Sequence, residues 1–232
     1  FTGQQATIGS TGYCKSICFS STSDTVLVSG GDVNLRYWTI DEKNVKITAE
    51  NAKLDAVKRI ITCLQMDERD NYTYCGTTTG DVLKIANNTM KLMCTGPRKM
   101  LGEGIASLEV APWGDVVVGS GCGVVAVLDS TNLSVLTSTT LSGSVTSTSM
   151  VPKRNDEILC GTSESDIVSI NTDNFRPKIL SKGHSSAIND VFFPPRSSEL
   201  FLTCSSGGFH VWNSRTYQEL LRVDIPRSEC LC

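Results

Sequence analysis

Histidine is nearly absent from this sequence: His184 and His210 are the only two in 232 residues. A histidine-based metal site or nucleophile triad needs such residues beside carboxylates, thiolates or a hydroxyl in a recognisable pattern, and neither position offers one. No window carries the ~18 consecutive apolar residues of a membrane helix, so no membrane span is expected. Blocks of five or six like charges are also missing, and the formal net charge is −3. Such a chain has no field to steer it onto a polyphosphate, which excludes nucleic acid as the expected ligand. Cysteine is plentiful, at ten residues, but no pair has C-x2-C spacing. Zinc ribbons and thioredoxin-type redox sites are therefore excluded. Cys18, Cys63, Cys75, Cys160 and Cys204 sit in apolar stretches and read as free core thiols, which suits a reducing compartment. Cys230 and Cys232 receive no role. The first residues lack both an initiator Met and a signal-peptide pattern, so the chain is expected to be part of a longer one. Sequons at Asn71, Asn87 and Asn132 are chance matches in a cytosolic protein.

What is present is a repeat. Apolar residues make up 40 % of the chain and charged residues 19 %, enough to bury a core. Five segments each hold short runs rich in Val, Ile and Thr, broken by Gly, Ser and Asn. They fall at 16–20, 26–32 and 35–38; at 60–64, 74–77 and 81–85; at 105–108, 117–121 and 124–127; at 145–148, 158–162 and 166–170; and at 188–192, 201–205 and 209–212. Taking Trp38, Ile85, Val127, Ile170 and Trp212 as the last apolar residue of each unit, the steps are 47, 42, 43 and 42 residues. Strand-only repeats of ~40–45 residues are the signature of β-propeller blades. Each small sheet has two faces that it cannot bury alone, so neighbours stack around an axis. Gly76, Gly119 and Gly161 recur just before a turn, where they allow close sheet approach or positive backbone angles. A short helix is expected at 51–59, in the longest link.

Two units carry a fuller pattern. In the first, Ser29 precedes Asp32, an apolar strand and Trp38. In the fifth, Gly183 and His184 precede a strand, Thr203 follows, and Trp212 closes the unit. These features resemble the WD-repeat family, in which a His, a Ser or Thr, an Asp and a Trp form a hydrogen-bonded network that pins each blade. The resemblance implies that role for Ser29, Asp32 and Trp38, and for His184, Thr203 and Trp212. The fifth unit lacks the turn Asp, and the middle three lack Trp and Gly-His, so their closure is expected to rest on packing. Residues 58–64, 74–85 and 160–167, with Cys75-Gly76-Thr77 and Cys160-Gly161-Thr162 at corresponding places, narrow the resemblance. Together with 190–194, 199–204, 219–223 and 225–226 they look like a family of cilia- and flagella-associated WD-repeat proteins. That family implies two tandem propellers inside axonemal doublet microtubules, with tubulin and other luminal proteins as partners. It places 1–140 as the last blades of one propeller and 141–232 as the first blades of a second.

Among candidate sites, 119–123 imitates a phosphate loop, but a strand follows where a phosphate loop opens a helix. A β-turn is expected. The carboxylates at 67, 68 and 70 lack calcium-loop spacing and read as a solvated hairpin. Arg98 and Lys99 form the most basic patch, in a link between units where propellers present binding surfaces. Trp113 follows Pro112 in a turn and is a second candidate contact. The leading function is a structural ciliary scaffold without cofactor, metal or catalytic residues. A generic cytosolic WD adaptor for peptide segments is the alternative, and a propeller enzyme ranks last.

Overall fold

The computed structural model describes residues 12–32, 34–151, 156–181, 187–195 and 199–229. Within them every regular element is a strand. Four antiparallel four-stranded sheets follow one another along the chain: β1 (Cys14–Phe19) to β4 (Lys46–Asn51), β5 (Ile61–Met66) to β8 (Lys91–Gly96), β9 (Ile105–Val110) to β12 (Val135–Thr140), and β13 (Val145–Met150) to β16 (Pro177–Ser181). In each sheet the strands pair in sequence order. A fifth sheet has three strands, β17 (Ile188–Phe192), β18 (Leu200–Asn213) and β19 (Glu219–Glu229). Its long β18 runs through Gly207 and Gly208, both at positive φ, where the other blades turn between their second and third strands.

Four apolar clusters hold the sheets together, one between each successive pair. The first joins Val28, Leu35 and Tyr37 to Ile61, Leu83 and Ile85. The second joins Tyr74 and Val82 to Ile105, Val116 and Val118. The third joins Val117, Val125 and Val127 to Val145, Ile158 and Ile170. The fourth joins Leu159 and Ile167 to Ile188, Phe201 and Trp212. Adjacent residues on one strand thus feed opposite interfaces, the period-2 alternation of a sheet covered on both faces. The second and third strands, such as β6 (Tyr72–Thr77), β7 (Val82–Ala86) and β10 (Val116–Ser120), are buried almost throughout, while the outer β8 and β12 alternate with solvent.

The recurrent glycines act through contact. A Cβ on Gly76 would lie 2.6 Å from Ile105 Cγ2, and one on Gly161 would lie 2.8 Å from Ile188 Cγ2. Gly30 and Gly119 meet Ile61 and Val145 in the same way. The opening residues of each innermost strand therefore press on the bare backbone of the preceding blade, and close approach explains these glycines.

Several expectations change. Residues 51–59 form no helix: Lys53 bridges to Lys91, Asp55 turns the chain at positive φ, and Ala52, Leu54 and Val57 pack on the first interface. The neighbouring blade supplies partners that nine residues of marginal helix could not match. Pairing of Val116 with Leu128 and of Thr73 with Ile85 puts Leu128, not Val127, at the repeating position. Cys204 is buried but disulfide-bonded, unlike the free thiols Cys18, Cys63, Cys75 and Cys160. The third and fourth blades, on either side of 141–144, share one apolar cluster, and this packing does not test the division into two propellers expected there.

Among the described residues, the stack has two open ends. The innermost strands pack in the order β1, β5, β9, β13, β17. The leading face of the first blade leaves Ile17 60 % exposed beside Leu27, Trp38 and Ile47. On the fifth blade, Phe192, Leu220 and Leu221 are exposed.

Candidate functional site

Trp38 and Trp212 make the same bond in blades that are otherwise different. Trp38 Nε1 donates to Ser29 Oγ at 2.7 Å, and Trp212 Nε1 donates to Thr203 Oγ1 at 2.7 Å. Ser29 and Trp38 lie on the paired second and third strands of the first blade, and Thr203 and Trp212 on either side of Gly207 and Gly208 within the long β18. Trp212 is buried against the fourth blade, stacked on Phe201 and His210. Trp38 faces the open end and is only partly covered. Asp32 stands off from its Trp: its carboxylate meets Lys15 Nζ at 3.4 Å. His184 lies outside the described residues. His210 Nδ1 is 3.0 Å from Glu219 Oε2, a side-chain pair on adjacent strands.

The middle blades are closed by hydrogen bonds that the sequence reading did not find. In the second, Asp81 is buried and accepts from Thr77, from Thr79 Oγ1 at 2.6 Å and from Arg59 Nε at 3.0 Å. Burial raises the Asp81 pKa, but these donors outweigh it and leave the carboxyl below its ordinary value. The third and fourth blades build the same turn: Ser120 Oγ accepts from Val124 N at 3.1 Å, and Thr162 Oγ1 accepts from Asp166 N at 3.2 Å. A hydroxyl residue followed four positions later by Asp, at 77 and 81 and again at 162 and 166, was the available signal. Packing alone, as expected for these blades, is therefore not the whole of their closure.

Polar clasps also link blade to blade. The expected solvated hairpin at 67–70 instead projects Asp70 onto the first blade. Its carboxylate accepts from Ser20 Oγ at 2.6 Å, Ser21 N at 2.9 Å, and Thr22 N and Oγ1 at 2.8 and 2.5 Å. Asn87 lies alongside, accepting from Tyr37 and Thr73 and donating to Asp70 O. Farther round, Gln65 Oε1 accepts from Val110 N at 3.1 Å, and Glu109 Oε2 accepts from Met150 N at 2.8 Å. Gln65 pairs with Tyr74, and Glu109 with Val117, at equivalent registers. One side chain of the second blade and one of the third thus each cap the end of the next blade's innermost strand. Burial pushes the Glu109 pKa up to about 7, the Met150 bond opposes this, and the negative charge of Asp190 adds to it.

The three candidate contact residues separate into two places. Arg98 and Lys99 lie together on a cleft of 590 Å³ between the end of β8 and the turn before β12. Trp113, 42 % exposed, lines a different depression with Asp67, Glu68 and Arg69. Among the described residues, no group of three His, Cys, Asp or Glu side chains could hold a metal ion.

Sequential four-stranded blades stacked around an axis, with Trp-to-hydroxyl bonds in two of them, define a WD-repeat β-propeller chain. The WD40 propeller domain of Doa1 superposes with a TM-score of 0.77 at 15 % identity, over 96 % of this chain and 72 % of that one. The computationally designed protein Ika8 superposes at 0.74 with 21 % identity, over 94 % of this chain and 64 % of that one. No protein-family model matches the chain. Its homologues are named cilia- and flagella-associated protein 52. The Chlamydomonas reinhardtii protein is 33 % identical over 225 residues, covering 96 % of this chain and 36 % of the relative. The Sus scrofa protein is 33 % identical over 220 residues, covering 94 % and 35 %, and the Homo sapiens protein is 30 % identical with the same coverage. The chain spans about a third of the length of these relatives.

Proposed function

We propose that this chain is a non-catalytic structural scaffold of the cilium and flagellum, working in the axonemal cytoskeleton. In the fuller form of this reading it is a microtubule inner protein whose blades contact tubulin and neighbouring luminal proteins in the doublet microtubules. The observation that carries it is similarity over 94–96 % of this chain, about a third of each relative, to proteins named for association with cilia and flagella. Stacked blades joined by apolar clusters and polar clasps suit a rigid spacer with a large contact surface. The apolar leading face around Trp38 suits a further blade, because Trp212 at the corresponding position is buried by its predecessor.

The test is biochemical fractionation of axonemes carrying a tagged full-length protein. A luminal scaffold stays with the doublets through detergent and moderate salt, and leaves only when the tubules themselves are opened. Release with the soluble matrix fraction would contradict the reading.

A further inference from the structure

We propose that the cleft between the second and third blades is a docking groove for an acidic, extended peptide segment of a partner protein. This rests on the scaffold reading only in taking the partner to be a protein. The groove has an apolar floor and a cationic rim. Pro97 and Leu133 are buried beneath it, while Val135 stays 42 % exposed at the start of β12. Arg98 and Lys99 are exposed on the opposite side, and among the described residues neither makes an ion pair. No carboxylate lines the groove.

The local geometry keeps this charge open to a ligand. Asp129, in the same turn, is occupied by its own backbone: its Oδ1 accepts from Thr131 N at 2.6 Å and Asn132 N at 3.3 Å. The Asn132 side chain uses its oxygen to accept from Ser134 N at 2.7 Å, which leaves its Nδ2 hydrogens directed to solvent or ligand. Two unpaired cations and an amide donor around an exposed valine fit a carboxylate next to an apolar side chain. β12 is the edge strand of its sheet, so an extended segment can run beside it. Charge complementarity favours an acidic segment over a neutral or basic one.

The probe is a fluorescein-labelled dodecapeptide of alternating Glu and Val, compared with its Gln/Val counterpart by fluorescence anisotropy. The expected result is saturable binding of the acidic peptide that weakens as salt rises. Arg98→Ala combined with Lys99→Ala should weaken it by about tenfold or more. Lys43→Ala with Lys46→Ala, on a distant hairpin, should leave it unchanged. Unaltered thermal unfolding of the Arg98/Lys99 variant shows that the loss is not misfolding. Equal binding of the Gln/Val peptide, equal binding by the double variant, or no saturable binding overturns the proposal. Axonemal retention is a separate measurement, so failure here does not depend on failure there.

Discussion

Glu109→Gln should stabilise the protein at alkaline pH and leave it almost unchanged at acid pH. Glu109 spans the third and fourth blades through Met150 N, and Gln65 makes the corresponding bond to Val110 N with a neutral amide. The glutamine variant therefore keeps an acceptor of the right length. What it removes is a carboxylate that burial and Asp190 disfavour. The folded pKa is raised from 4.5 to about 7, so the native state holds the proton more tightly than the unfolded chain. Its contribution to stability is complete below pH 4.5 and is lost as pH rises through 7. At 1.36 kcal/mol per pH unit the whole span is worth about 3 kcal/mol. Partial exposure reduces the expected effect to about 1–2 kcal/mol. Urea unfolding at pH 5 and pH 8, with variant and wild type measured side by side, reads this directly. A difference that is independent of pH, or a variant less stable at pH 8, would show that the Glu109 carboxylate does not weaken the fold.

Other perturbations follow from the same contacts. Asp70→Ala removes the clasp to Ser20, Ser21 and Thr22, and urea unfolding should show a loss of about 1–3 kcal/mol; no change would deny the clasp a structural role. Arg59→Ala strips a buried carboxylate of its cation and should cost about 2–3 kcal/mol near neutral pH. Because the Asp81 pKa is depressed, that cost should shrink as pH falls through the carboxylate range, and a constant cost would count against the pairing. Trp212→Ala should cost about 3–5 kcal/mol, while Trp38→Ala should cost clearly less because the described residues leave its outer face only partly covered. Equal losses in calorimetry would contradict the assignment of that face.

The repeat was legible because its physics is periodic. Runs of Val, Ile and Thr at a spacing of about 43 residues announce strands buried on both faces, and Ser29, Thr203 and the two tryptophans stood at recognisable offsets. Gly76, Gly119 and Gly161 were visible, but two reasons for them remained open until Ile105, Val145 and Ile188 were seen pressing on them. The polar links between blades were hidden. Asp70 meets Ser20 and Thr22 about fifty residues away, and no local pattern distinguishes it from a solvated loop carboxylate. Gln65 and Glu109 look unrelated until strand register aligns them. Residues 51–59 have helical composition, but their backbone finds partners in the next blade, which local propensity does not encode. Arg98 and Lys99 were found as a charge cluster; the groove they border depends on a turn that lies more than thirty residues on.

Cryo-electron microscopy of intact doublet microtubules carrying the full-length protein can show whether the blades sit inside the tubule. Density for five successive blades is expected on the inner wall of the tubule, with an additional blade covering the face around Trp38. Doublets whose inner wall shows no such density, with the protein confined to soluble cytoplasmic complexes, would contradict the luminal scaffold reading.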